Sequence, residues 1–127
     1  MRNLRNLAAV LLLAAAFNAA AAEVPYNAAA FQKMLASGQA VAVSFHADWC
    51  PTCRAQAPVL RDLAAQPDFK GVTVMVANFD TELQLRKSLN VSQQSTIVVF
   101  RSGKEVARST GDTDRKSLGA LLRTAVS

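Results

Sequence analysis

The sequence predicts one α/β domain: a central mixed sheet of about four strands with helices against both of its faces. Three observations carry this. Along residues 23–127, apolar residues switch repeatedly between helical spacing and short continuous runs, giving the order αβαβαββα. The first two strand-like runs are separated by a helical stretch, the crossover that parallel strands need, whereas the last two are separated only by a Gly-containing turn, as in an antiparallel hairpin. The length of 127 residues, 51% of them apolar and 18% charged, holds one ordinary domain and not two.

The elements follow in order. Asn27 can cap a helix that carries Phe31, Met34 and Leu35 at helical spacing, and Gly38 is placed to end it. Ala40 to Phe45 is a nearly continuous apolar run, as expected of a strand covered on both faces. From Pro51 to about Ala65, Ala57, Leu60, Leu63 and Ala64 recur at helical intervals. Pro51 suits a first helical turn, while Pro58 lies inside, where its missing donor and its ring should bend the helix without stopping it. Val72 to Ala77 reads as a second buried strand, and Asp80 or Thr81 can cap a short helix through Leu83, Leu85 and Leu89. Thr96 to Phe100, a turn at Arg101 to Lys104, and a more polar strand from Glu105 to Thr110 form the hairpin. Asp112 or Thr113 can cap a last helix with Leu118, Leu121, Leu122 and Ala125 on one face.

Residues 1–22 read as a secretory leader. Arg2 and Arg5 precede an apolar run of eleven, Leu7 to Phe17, and Ala20-Ala21-Ala22 supplies small residues for cleavage. The apolar stretch is interrupted by Asn18 and falls short of the roughly 20 residues that a spanning helix needs, so no permanent membrane span is expected. The expected product, residues 23–127, belongs in an oxidising compartment, periplasmic or secreted. Fourteen Lys and Arg against nine Asp and Glu give +5; over residues 23–127, twelve basic and nine acidic residues leave +3, in no block of five or six. That distribution argues against nucleic acid as a partner.

Cys50 and Cys53, the only two cysteines, stand two residues apart where a strand gives way to a helix. Unpaired N–H groups and the helix dipole favour a thiolate at Cys50, the expected exposed attacking sulfur, while Cys53, a turn further in, is expected to be buried and to stay protonated. A thiolate at Cys50 can open a partner's disulfide, and Cys53 can then release the partner by attacking Cys50. Covalent haem attachment would need His after the second Cys, where Arg54 stands. A metal site would need more ligands than two Cys and one His, and no metal or other cofactor is called for. A purely structural disulfide remains open, although closing so short a loop removes little unfolded-state entropy.

The chain from residue 23 onward resembles thioredoxin over nearly its whole length. The match runs from Val43 through His46-Ala47-Asp48-Trp49-Cys50-Pro51-Thr52-Cys53 to Pro58, Asn78-Phe79-Asp80 and Thr96 to Phe100 ahead of the hairpin. The string Trp49 to Cys53 is also similar to that of exported thioredoxin-like reductases serving cytochrome c maturation. The resemblance implies a thioredoxin fold and a monomeric protein disulfide oxidoreductase with Cys50 as nucleophile and Cys53 as resolving thiol. Its partners would be protein thiols and disulfides, with a membrane electron donor, and substrate would lie against Trp49, Pro51, Thr52, Gln94 and Ser95. The alternative on the same fold is a noncatalytic module that binds partners or carries metal through its thiols.

Two departures from the family bear on mechanism. Ser95 stands where thioredoxins place a cis-proline facing the cysteines. A cis bond before a non-proline residue costs ~3 to 4 kcal/mol, so the Gln94–Ser95 peptide is expected to be trans. Ser95 then fills the position, or offers its hydroxyl to a sulfur or to substrate, or, as a third alternative, leaves the thiols open to a metal where the ring is lost. Ser44 stands where thioredoxins often bury an acid that moves a proton for the resolving thiol. A proton route would then run through water, Asp48, or His46, which shares a strand face with Ser44.

Overall fold

Residues 23–126 are described by the structure, a computed structural model; the leader expected at residues 1–22 lies outside them. A short strand β1 (Glu23–Pro25) leads into α1 (Ala28–Ala36), followed by β2 (Ala40–His46), α2 (Pro51–Ala64), a 3₁₀ turn (Pro67–Phe69), β3 (Val72–Asn78), α3 (Leu83–Leu89), β4 (Thr96–Arg101), β5 (Lys104–Thr110) and α4 (Arg115–Arg123). The sheet has five strands in the order β1-β3-β2-β4-β5. β1 and β2 both pair parallel to β3, whereas β4 runs antiparallel to β2 and to β5.

The expected αβαβαββα order is present, with one strand more than the four predicted. Three residues are too few to show a period of two, and Pro25 speaks against a strand in the sequence. Its missing donor is tolerated because β1 lies at the sheet edge. β2, the central strand, is buried from Val41 to Phe45 because both faces are covered. On one face Phe31 of α1 and Leu85 of α3 pack with Val41, Val43, Phe45, Met75, Val98 and Phe100. On the other, Leu60 and Leu63 of α2 and Leu118, Leu121 and Leu122 of α4 pack with Ala42, Val74, Ile97 and Val99.

Asn27 caps α1 as expected, its Oδ1 accepting the Ala30 N–H at 2.9 Å. Gly38, at φ +72°, closes the same helix by donating to Leu35 O. α2 continues through the exposed Pro58. Two caps differ from expectation. The N-cap of α3 is Glu82, without a side-chain bond, because Asp80 and Thr81 are drawn into the turn in which Asn78 Oδ1 accepts the Asp80 N–H. The cap of α4 is Asp114, whose carboxylate accepts the Ser117 N–H at 2.9 Å, while Asp112 supports it from outside by accepting the Asp114 N–H. All described peptide bonds are trans, the Gln94–Ser95 bond among them.

Candidate active site

The site forms where β2 ends and α2 begins. The chain turns through Ala47 to Trp49, with the Cys50 N–H donating to Ala47 O, and enters the helix at Pro51. Proline suits this place because the first helical N–H groups have no partner within the helix. Cys50 is the N-cap residue, and its Sγ takes the place of a cap oxygen by accepting the Cys53 N–H at 3.3 Å.

The two sulfurs differ in environment and therefore in acidity. At Cys50, burial alone would raise the pKa. The thiol and N–H of Cys53, the Ser95 hydroxyl and the Thr52 N–H together outweigh it and bring the pKa below the ordinary thiol value. At Cys53, burial dominates and the neighbouring Cys50 adds to it, so its pKa rises despite hydrogen bonds from Ser95 and Ala47. Cys50 is more enclosed than the sequence suggested for the attacking sulfur, at 4% exposed, while Cys53 is buried as expected, at 1%. Ser95, held by the Gly111 N–H, stands against both sulfurs. Cys50 nonetheless lines an open cavity of about 430 Å³ with Thr52, Gln93, Gln94, Ser95, Thr110 and Gly111, and Cys53 does not.

Ser95 is the third member of the cluster. It is 1% exposed, and its Oγ lies 2.8 Å from Cys53 Sγ and 3.7 Å from Cys50 Sγ. Of the two roles open to it, the hydroxyl faces the sulfurs. Its backbone is left-handed, φ +62°, an uncommon region for a side chain other than glycine. Three groups hold it there. The Ser95 N–H donates to Phe45 O at 2.8 Å, and its carbonyl accepts the Gly111 N–H and Gln56 Nε2; Gln56 also donates to Asp112 O at 2.8 Å. Thr96 ties the approach to this turn, its Oγ1 donating to Gln93 O at 2.8 Å.

The other candidate residues separate into two groups. Thr52 and Gln94 line the Cys50 cavity, and Pro51 is exposed at the helix start. Trp49, 58% exposed, stands on the opposite side of the motif, its Nε1 donating to Asp80 Oδ2 at 2.7 Å. His46 and Asp48 pair with each other at 2.9 Å and line a separate cavity with Trp49, Asn78 and Asp80. Among the described residues neither bonds to a sulfur. Ser44 and His46 do share one face, along a cavity of about 200 Å³ with Glu23 and Ala57. No three His, Cys, Asp or Glu side chains gather into a metal-binding group among the described residues, and none of their helices is long and apolar enough to cross a membrane.

Gln56 escaped the sequence reading, as did the role of Asp80 as the partner of Trp49. Gln56 had left a signal, a polar residue on the buried stripe Cys53-Gln56-Leu60-Leu63, where an uncharged polar side chain needs a partner.

Comparison with known proteins agrees with this geometry. The thioredoxin family pattern matches residues 22–124. The chain is 38% identical over 92 residues to a thioredoxin of Chlamydia muridarum, covering 72% of this chain and 87% of that one. It is 33% identical over 97 residues to the bifunctional thioredoxin reductase/thioredoxin of Mycobacterium leprae, covering 76% of this chain and 20% of that protein. Among solved structures, Trxlp from Edwardsiella tarda EIB202 superposes with a TM-score of 0.77 at 42% identity, covering 80% of this chain and 98% of the other.

Proposed function

The chain belongs to the thioredoxin family of thiol-disulfide oxidoreductases, and from that premise we propose that it is an exported, monomeric reductase that opens disulfides in protein substrates through Cys50 and Cys53. The observation that carries the reading is the asymmetry of the pair. Cys50 sits at a helix N-cap on an open cavity with donors directed at its sulfur, and Cys53 lies behind it, buried and protonated.

The Cys50 thiolate attacks one sulfur of the substrate disulfide. A bond forms between Cys50 and that sulfur, the substrate bond breaks, and the displaced thiolate leaves with the electron pair and gains a proton. Cys53 then attacks Cys50 Sγ, the second substrate thiol leaves, and the protein is left with a Cys50–Cys53 disulfide. Each cycle moves two electrons to the substrate, and a dithiol donor at the membrane is proposed to restore them. Gln94 and Thr52 border the cavity at Cys50, and Trp49, pinned by Asp80, offers a broad apolar surface on the other side of the motif. Export is supported by the basic, apolar and small-residue order of residues 1–22.

The test is reduction of insulin by dithiothreitol. The parent chain accelerates it, and Cys50→Ser abolishes the acceleration. Cys53→Ala, expressed in the native host, retains substrates as mixed disulfides and so identifies both partners and direction. A parent without acceleration would favour the noncatalytic thiol-dependent carrier.

A further inference from the structure

We propose that the Ser95 hydroxyl is a catalytic proton relay of the resolving step, carrying the Cys53 proton to the departing substrate sulfur. The proposal rests on the oxidoreductase reading and assigns a role within it.

Resolution poses a proton problem. Cys53 must lose its proton before or as it attacks, yet it is 1% exposed and does not line the cavity at Cys50. The departing sulfur must gain one. The titratable groups nearby do not offer a path: His46 and Asp48 are bonded to each other, and among the described residues neither hydrogen-bonds to a cysteine sulfur. Ser95 Oγ is the side-chain oxygen that does, 2.8 Å from Cys53 Sγ and 3.7 Å from Cys50 Sγ. Ser95 also lines the cavity into which a sulfur bonded to Cys50 must project. One hydroxyl thus touches the proton's source and borders its destination.

The step balances. A Cys53–Cys50 sulfur bond forms as the bond between Cys50 and the substrate sulfur breaks. The Cys53 proton passes to Ser95 Oγ while the original hydroxyl proton passes to the leaving substrate sulfur, so Ser95 ends as it began. The substrate sulfur is reduced and the cysteine pair oxidised. A hydroxyl can do this without titrating, because it accepts and donates at once. Its backbone supports the role: with φ +62° the position suits glycine, yet the surrounding hydrogen bonds hold a serine there.

The same φ makes Ser95→Gly a mild change to the fold, with Ser95→Ala as a second variant. Full-length reduced chain is mixed in single turnover with a disulfide-linked cysteine peptide, and the mixed disulfide is followed by acid quench and mass spectrometry. Both variants are expected to form it and to resolve it more slowly than the parent, on the order of 10²-fold. With an aromatic disulfide, whose thiolate leaves without needing a proton, delivery to the leaving sulfur is spared while removal of the Cys53 proton is not, so the defect should shrink in part. Resolution at the parent's rate, or an equal slowing with both substrates, overturns the relay while leaving the oxidoreductase intact. A parent that forms no mixed disulfide overturns both.

Discussion

Cys50 and Cys53 begin as the same thiol and are made different by where the helix starts. The first receives N–H and O–H donors that favour its anion, and the second is desolvated beneath it. This has a consequence for stability. A group whose pKa falls on folding adds stability above its unfolded pKa and loses it as pH falls through the folded value. Cys53 is the opposite case: its raised pKa adds stability below the unfolded thiol pKa, and this is lost as pH rises through the folded one. Cys50 works the other way, so the Cys53 contribution is read by difference: urea unfolding of the reduced chains between pH 7 and pH 10 should lose more stability with rising pH in the parent than in Cys53→Ala. At this scale the chemistry was legible, because two-residue spacing at a strand-to-helix junction is local information. The support around it was not. Gln56 meets Ser95 across 39 residues and Trp49 meets Asp80 across 31, so these contacts exist only once the sheet is assembled.

Helices and turns divide along the same line. Asn27 was readable as a cap because a single Asn precedes an apolar period, and its bond to Ala30 is local. Asp112, Thr113 and Asp114 compete for the start of α4, and the selection of Asp114 depends on which backbone N–H groups point at it. The β4–β5 turn is tighter than a generic one. Ser102 and Gly103 have φ of 52° and 76°, the left-handed pair that matches hairpin twist. A Cβ on Gly103 would meet Leu35 O at 3.1 Å, so the hairpin turn is also packed against the end of α1. Asn27→Ala is expected to cost about 1 kcal/mol, and Gly103→Ala about 1 to 2 kcal/mol from its left-handed backbone. Chemical denaturation of each variant measures both, and a Gly103→Ala chain as stable as the parent would contradict the turn assignment.

Taken whole, the molecule is a sheet clasped between two helix pairs, with the reactive junction at the end of its central strand. The apolar runs of β2, β3 and β4 made this layering visible in the sequence, because strands buried on both faces cannot alternate in polarity. β1 was invisible because its three residues take their place from pairing with β3. The fold also sets the direction of electron flow, through the difference in stability between its dithiol and disulfide states. A reductase requires the disulfide form to be the more stable fold, so the oxidised chain should unfold at higher urea than the reduced one at pH 7. The reverse order would mark the pair as an oxidant. Beneath both lies the assignment of roles to the two sulfurs. It is tested most directly by alkylating the reduced full-length chain with iodoacetamide across pH and locating the adduct by peptide mass spectrometry. The account predicts modification at Cys50, with a midpoint below that of an ordinary thiol, while Cys53 stays unmodified through that range; adducts appearing first on Cys53, or on neither cysteine, would contradict it.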